Sequence, residues 1–299
     1  MEAWIILSVA AAAFQTLRFM LQKQLSLGSL SAGGATLARF AYSAPFVVAL
    51  VVGYLWVQGA ALPRLNGHFW IYALSGALAQ VLATWCVVAL FAARSFAVGI
   101  TFKKTEVIQT ALVGFIVLGD RVSAPALAAI VLGLVGVVIL SDNAGLPGLS
   151  LRRVANKGAA LGLLSGALFA VSAVGYRGAT LEIDSADALV RAGLALAVVS
   201  TVQALGLSLW LAWREAGQLR AVWQARRVAV WMGVTSMGGS LCWFTAFTLQ
   251  SAALVFAVGQ VEVIFSVLAS VLVFRERITA REVWGMGLLT VSILVLVLI

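Results

Sequence analysis

Charged side chains are scarce in this sequence: Asp, Glu, Lys and Arg together account for 10% of its 299 residues. Hydrophobic residues account for 63% and the mean hydropathy is +1.06, which excludes a water-soluble domain. The alternation of apolar and polar residues that is typical of membrane β-strands is also absent. These absences leave a helical protein that lies within a membrane.

Residues that carry catalysis or bind metals are few as well, since the chain has two cysteines and one histidine. Cys86 and Cys242 lie inside apolar stretches, where we expect small packing residues and not a disulfide. His68 has no cysteine or acidic residue beside it that could complete a metal site. No nucleophile or paired acids stand out, so we expect no enzyme, no metal and no cofactor.

The apolar residues fall into ten runs, each near the length of about 20 residues that crosses a hydrocarbon core. We expect the first run to be a retained helix and not a signal peptide, because no basic segment precedes it and it carries Gln15, Arg18 and Gln22. The runs are 3–25, 33–57, 68–92, 96–118, 124–141, 155–176, 185–213, 227–249, 252–274 and 280–298.

The second half of the sequence repeats the first, with residue 262 matching residue 106. Ser95–Ser123 aligns without a gap to Ser251–Thr279, and this alignment pairs Glu106 with Glu262. Since each half holds five spans, an odd number, the halves must insert in opposite orientations. We therefore predict an all-α integral membrane protein with ten transmembrane helices arranged as two inverted five-helix repeats. Residues 1–146 form the first repeat and residues 147–299 the second, and together they make one transport unit.

Several ionisable residues lie inside the predicted spans, where such groups are costly and are functional candidates by default. Arg18 belongs to the first span and Lys103 and Glu106 to the fourth, with Lys103 one helical turn from Glu106. In the ninth span, Gly259 takes the place of Lys103 before Glu262. We therefore expect Glu106 to be ionised and paired, and Glu262 to be the candidate for binding a coupling proton.

Two further arginines, Arg39 and Arg191, lie near the starts of the second and seventh spans. Each could reach the membrane interface with its long side chain, or face a cavity, and the spacing leaves both open. Asp187 precedes Arg191 by one turn and is its expected partner. Gln260 and Glu262 are two residues apart, so a regular helix would point only one of them at a cavity.

A midplane cavity lined by aromatic rings and by charges of both signs suits a zwitterion with an apolar side chain. Cations would contact the carboxylate and acids the ammonium group. For any single ring, packing or lipid contact is the alternative. The candidate substrate-binding residues are Arg18, Tyr42, Gln80, Trp85, Phe102, Lys103, Glu106, Trp243, Phe244 and Glu262.

Basic residues in the predicted loops are distributed unevenly between the two sides of the membrane. The side that holds loops 1–2, 3–4, 5–6, 7–8 and 9–10 carries twelve, and the side of the termini carries three, Arg64, Arg121 and Arg177. The positive-inside rule then places both termini outside the cytoplasm. The net charge of +9 is thereby assigned to orientation and lipid contact, with no nucleic-acid partner.

Short motifs join the last two spans of each half: Gly-Asp-Arg-Val-Ser at 119–123 and Arg-Glu-Arg-Ile-Thr at 275–279. With Arg39-Phe40 early in the second span and the five-plus-five duplication, they resemble the drug/metabolite transporter superfamily, in particular its EamA branch, over essentially the whole chain. The resemblance implies a multi-pass carrier of small organic solutes in the bacterial inner membrane, often an exporter of amino acids. Many relatives have a proline in spans four and nine and are drawn with cytoplasmic termini, and this sequence departs from both patterns.

We therefore expect a secondary transporter, an exporter or a facilitator, of neutral or aromatic amino acids that works by alternating access. Uptake or exchange of a sugar or nucleoside derivative is the alternative substrate assignment. A channel or a scaffold is the non-transporter alternative, although a channel needs a continuous polar ring that no span supplies. The expected partners are a small-molecule substrate and membrane lipid, and the expected state is a monomer or a weak homodimer.

Overall fold

The computed structural model describes residues 2–26, 30–91, 103–141, 157–265 and 280–298, and within these parts the chain is helical with short connections. Four of the helices contain stretches long and apolar enough to cross a membrane: Ala32–Gln58, Gly67–Ala89, Ala160–Leu181 and Ala188–Arg214. The helices in the described parts are α1 Ala3–Ser26, α2 Ala32–Gln58, α3 Gly67–Phe91, α4 Glu106–Leu118, α5 Ala124–Ser141, α6 Lys157–Leu181, α7 Ala188–Arg214, α8 Gln218–Gln224, α9 Arg226–Leu249, α10 Ala252–Gly259 and α11 Ala280–Leu298.

The ends of α2 show why the helices stop where the apolar runs stop. Ser31 caps the start, where its side chain accepts a hydrogen bond from the backbone N–H of Gly34 at 3.0 Å. Gly59 ends the helix in the left-handed conformation, with φ of 60°, which a residue without a side chain adopts freely. Such caps satisfy the terminal backbone groups that would otherwise be unpaired in an apolar environment.

Asp187 caps the start of α7 and does not pair with Arg191, so the predicted ion pair is wrong. Its carboxylate accepts hydrogen bonds from the backbone N–H of Leu189 and from the hydroxyl of Tyr54, both at 2.7 Å. The Tyr54 hydrogen bond is the main reason that the pKa of Asp187 lies below its ordinary value. Arg191 instead reaches the backbone carbonyl of Thr248 at 3.5 Å. The carboxylate is already occupied by the cap, which helical spacing alone does not reveal.

The fourth and ninth predicted spans are interrupted at equivalent positions. Residues 104–105 form a turn immediately before α4 begins at Glu106. In the second half, α10 ends at Gly259, Gln260 forms a turn, and residues 261–265 are helical again. Residue 260 matches residue 104 in the alignment of the two halves, and neither interruption contains a proline. Discontinuous helices of this kind line the binding sites of many secondary transporters.

Helix contacts occur in pairs that relate the two halves. Helix α3 packs along α6, and α1 packs in the corresponding way along α9. The contact of α4 with α6 likewise has a counterpart in that of α10 with α1. Other large contacts join the equivalent helices α2 and α7, the equivalent helices α5 and α11, and also α2 with α9. Every such contact connects one half of the chain to the other, so the halves interlock.

Helices α3 and α6 approach closely because glycines meet at their crossing. A Cβ atom added to Gly175 would lie 2.9 Å from the carbonyl oxygen of Tyr72 and 3.1 Å from the Cα atom of Gly76. No side chain can occupy that space without moving the backbones apart. The close contact fixes the position of Tyr176, the residue after Gly175, whose side chain is 2% exposed and belongs to the main hydrophobic core.

Candidate substrate site

The larger of two adjoining cavities lies among α1, α2, α3, α6, α9 and α10 and has a volume of about 40 Å³. That volume accommodates a few water molecules, whereas pockets for small organic ligands are typically about 300 Å³ or more. The surrounding helices must therefore separate before a metabolite can enter. The cavity is lined by Gln15, Arg18, Arg39, Gln80, Phe169, Ser172, Ala173, Tyr176, Ser240, Trp243, Phe244, Phe247 and Phe256.

The second cavity, of about 30 Å³, lies against the two helix interruptions. It shares Gln15, Phe169, Trp243 and Phe256 with the larger cavity, so the two spaces are neighbours. Its other lining residues are Lys103, Glu106, Gly259, Gln260 and Glu262. Both Gln260 and Glu262 reach it, although a regular helix would point only one of them there. The turn at Gln260 breaks the helical spacing on which that expectation rested.

Glu106 forms the ion pair that the sequence predicted. Its Oε1 atom lies 2.9 Å from Nζ of Lys103, and both side chains are buried. Glu106 is also the first residue of α4, where the partial positive charge of the helix N-terminus stabilises a carboxylate. The Lys103 ammonium lies 4.9 Å from the ring centre of Phe169, within the range of a cation–π contact.

Glu262 is also paired with a lysine, so the expectation that it has no cation beside it is wrong. Its Oε2 atom lies 3.5 Å from Nζ of Lys104 and accepts a hydrogen bond from Nε2 of Gln15 at 2.7 Å. Within the ninth span, the position one turn before Glu262 holds Gly259, which has no charge. The lysine that pairs with Glu262 is Lys104, and it comes from the fourth span. The premise of the proton-binding hypothesis for Glu262, an isolated carboxylate, therefore fails.

Arg18 and Arg39 line the larger cavity, and both are buried, with 5% and 4% of their surfaces exposed. Arg18 donates a hydrogen bond from Nη2 to Oε1 of Gln15 at 3.4 Å. The guanidinium carbon of Arg39 lies 4.9 Å from the ring centre of Phe40. Of the two alternatives for Arg39, the structure therefore supports the cavity.

A network of hydrogen bonds holds Gln80 at the cavity wall. Its Oε1 atom accepts from the hydroxyl of Tyr176 at 2.9 Å and from Nε2 of Gln203 at 3.0 Å. Gln203 also donates to the backbone carbonyl of Ala77 at 3.0 Å, which fixes it against α3. The ring of Tyr176 stacks on Phe244 with a centroid distance of 4.4 Å. Polar and aromatic lining residues thus support each other.

Seven of the ten predicted site residues line one of the two cavities: Arg18, Gln80, Lys103, Glu106, Trp243, Phe244 and Glu262. Two lie elsewhere. The hydroxyl of Tyr42 donates to the backbone carbonyl of Val222 at 3.2 Å, and Trp85 packs edge-to-face on Trp210 with a centroid distance of 4.7 Å. The tenth, Phe102, is outside the described residues.

The ten predicted site residues leave out several lining residues, among them Gln15, Tyr176, Phe247 and also Arg39, for which the sequence had left a cavity position open. Gln15 could have been included, because it precedes Arg18 by one helical turn. The others are brought to the cavity by packing between helices, which no spacing along the chain predicts. Within the parts of the chain that the structure describes, no three His, Cys, Asp or Glu residues come together as a metal site, and Cys86 and Cys242 are free thiols.

Arg177 ties three elements together next to the larger cavity. Its guanidinium donates to both carboxylate oxygens of Asp120, at 2.9 and 3.2 Å, and to the carbonyl oxygens of Phe247 and Gln250, both at 2.7 Å. Asp120 lies between α4 and α5, while Gln250 follows the end of α9. Because Phe247 lines the cavity, any separation of α6 from α9 on this side must break these bonds.

Residues 156–298 match the family model of the EamA-like transporter family, which is a family of membrane transporters and not of enzymes. A solved crystal structure, described only as that of a protein, superimposes on 99% of this chain and 98% of its own with a TM-score of 0.72 at 14% sequence identity. At that identity the likeness shows a shared fold. No curated protein matches the sequence. The family match and the long apolar helices together indicate a multi-pass membrane protein.

Proposed function

We propose that this chain is a secondary transporter that moves small organic metabolites across the bacterial inner membrane by alternating access. One observation carries the proposal: two adjoining cavities, lined by buried charges from both halves of the chain, lie against the interruptions of two equivalent spans. Unwound helix segments beside a central cavity leave backbone N–H and C=O groups free to bind a solute. In a regular helix these groups are already hydrogen-bonded to each other.

The arrangement of the transport unit that we propose is two inverted five-helix repeats, residues 1–146 and 147–299. The paired helix contacts support it, since the packing of α6 against α3 and α4 recurs as the packing of α1 against α9 and α10. The family match supports it too, because residues 156–298 correspond to one repeat and not to the whole chain. Rocking of one bundle against the other would then open the cavity to each side in turn.

The link from Arg177 to Asp120, Phe247 and Gln250 closes the cavity on one side in this proposal. The helices must separate to admit a solute, because the space between them is only about 40 Å³. Breaking the Arg177 contacts removes this polar link between α6 and α9 and does not disturb the Lys103–Glu106 ion pair. The predicted orientation places Arg177 on the outer side of the membrane. The conformation in which the Arg177 contacts are intact is therefore closed to the outside.

The substrates that we propose first are neutral amino acids with apolar or aromatic side chains, carried outward or in facilitated exchange. Rings cover much of the larger cavity, and Trp243, Phe244 and Phe247 are among them. Flat apolar walls of this kind favour a solute with an apolar body, whereas sugars need a denser set of hydrogen-bonding groups.

Counterflow in proteoliposomes tests the proposal. Vesicles preloaded with unlabelled phenylalanine should accumulate labelled phenylalanine, and other neutral amino acids should compete with it. Trp243→Ala should reduce the exchange about 10-fold or more, as expected for an aromatic anchor in a binding site. The matched control is Trp231→Ala on the same helix, since Trp231 is 65% exposed and should not matter. Exchange of sugars or nucleosides without amino acids would contradict the substrate assignment, and exchange of no solute would contradict transport.

A further inference from the structure

The buried charges around the two cavities do not balance. Four cations and two carboxylates are each 9% exposed or less: Arg18, Arg39, Lys103, Lys104, Glu106 and Glu262. Glu106 contacts Lys103 at 2.9 Å and Glu262 contacts Lys104 at 3.5 Å, so each carboxylate already has an ammonium beside it. Among the described residues the cluster therefore holds two more cations than carboxylates, in a region where charge is costly.

Arg39 shows most directly where the excess lies. Among the residues that the structure describes, no carboxylate comes within ion-pair distance of its guanidinium group and no hydrogen bond is made to it. The side chain is nevertheless 4% exposed and lines the larger cavity together with Arg18. Because the two guanidinium groups line the same small cavity, their like charges repel each other. An anion in the cavity would remove that repulsion.

Gln80 adds a donor to the same wall. Its carbonyl oxygen already accepts two hydrogen bonds, from Tyr176 and from Gln203, so the group left for a ligand is its amide N–H₂. Among the described residues that line the larger cavity, none is an Asp or a Glu. Two guanidinium groups and one amide donor form a wall that favours an acceptor with two oxygens, and guanidinium binds carboxylate in that bidentate way.

We propose that Arg18, Arg39 and Gln80 form a carboxylate-binding site, and that aromatic monocarboxylates without an amino group are a substrate class of this protein. The inference rests on the proposed transport function and narrows what the same cavity selects. Rings supply the wall for the aromatic body. An ammonium group, in contrast, has no carboxylate in the described part of the site that is not already paired with a lysine. An amino acid would then bind through its carboxylate alone.

Four ligands that share a phenyl group separate these contributions, with binding to the purified full-length protein measured by titration calorimetry. We expect 3-phenylpropanoate to bind at least as tightly as phenylalanine. The amide 3-phenylpropanamide should bind about 10-fold to 100-fold more weakly, since it loses charge-assisted hydrogen bonds. 2-Phenylethylamine should bind most weakly. Equal affinities of the acid and its amide, or tighter binding of the amine, would overturn the proposal, as would the failure of all four to bind.

Variants of Arg39 locate the carboxylate. Arg39→Gln should abolish the preference for 3-phenylpropanoate over its amide, whereas Arg39→Lys should keep part of it because the charge remains. The matched control is Arg191→Gln, which removes a span arginine outside both cavities. If Arg39→Gln leaves the preference unchanged, the assignment to Arg39 is wrong. The ligand series on the unmodified protein decides the substrate class even where a variant does not fold.

The outcomes also separate this inference from the proposed function. Selective binding of the acid without counterflow of any solute would support the site and contradict the transport function. Counterflow of phenylalanine with no binding of 3-phenylpropanoate would support transport and overturn the carboxylate inference.

Discussion

At the residue scale, Glu262 joins three predicted spans at one carboxylate. Gln15 of α1 donates to it at 2.7 Å, and Lys104 of the fourth span lies 3.5 Å away. Since both Lys104 and Glu262 are buried, the attraction between them offsets part of what each charge costs away from water. Removing one charge of the Lys104–Glu262 pair leaves the other charge buried without compensation. Removing both charges also removes the free-energy cost of burying them.

Glu262→Gln should therefore destabilise the protein by about 3–5 kcal/mol, the range for breaking a buried ion pair. The double variant Lys104→Met/Glu262→Gln should recover a large part of that loss. Unfolding temperatures in detergent provide the comparison. Asp184→Asn is the control, because Asp184 lies exposed before α7 and its change should stay within about 0.5 kcal/mol. A double variant that is no more stable than Glu262→Gln alone would refute the pairing.

At the element scale, the interruptions of spans four and nine explain how two short segments place so many polar groups at one depth. The turn at residues 104–105 directs Lys103 to Glu106 and Lys104 to Glu262. In a regular helix adjacent side chains point in different directions, whereas here both lysines contact carboxylates that line the same cavity. Hydrophobicity shows each span as one apolar run, and without a proline nothing in the sequence marks the turn.

The crossing of α3 and α6 gives a test at this scale. Gly175→Ala should destabilise the protein by about 1–3 kcal/mol, because the new methyl group would meet the Tyr72 carbonyl at 2.9 Å and force the helices apart. Gly53→Ala is the matched control, since Gly53 lies within α2 and has no atom within 4 Å of an added Cβ. It should be neutral or stabilising by up to about 1 kcal/mol. Equal unfolding temperatures of the two variants would show that the α3–α6 crossing has room for a methyl group at residue 175.

At the scale of the whole molecule, the apolar runs predicted the bounds of helices such as α2 and α9, but not the interruptions of spans four and nine or the short helix α8. The run 33–57 corresponds to α2 at 32–58, and 227–249 to α9 at 226–249. Length and hydrophobicity decide where a chain can cross a membrane, so these bounds follow from composition. The contacts between spans, in contrast, do not follow from composition. The ion pair of Lys104, the position of Arg39 and the placement of Tyr42 away from the cavity all depend on which helices become neighbours.

The orientation of the molecule remains a prediction from its loop charges. The segment from Arg214, the last residue of α7, to Arg227 in α9 is rich in arginine. Two of its arginines lie over tryptophan rings: Arg214 over Trp213 at 4.9 Å and Arg226 over Trp223 at 5.6 Å. Tryptophan and arginine are both typical of membrane interfaces, and arginine is enriched on the cytoplasmic side. The segment is thus the best place to test the assignment.

Cysteine labelling in intact cells decides the orientation. In a variant without Cys86 and Cys242, a single cysteine at Gln224 should react with a membrane-impermeant maleimide only after the cells are permeabilised. Gln224 is exposed at the end of α8, whereas Gln218 accepts a hydrogen bond from the Ser31 backbone at 3.0 Å and is better left intact. A cysteine at Asp184, on the opposite side in our prediction, should react without permeabilisation. The reverse pattern would place both termini in the cytoplasm and the Arg177 link on the inner side, so that the state with the link intact would be closed to the cytoplasm.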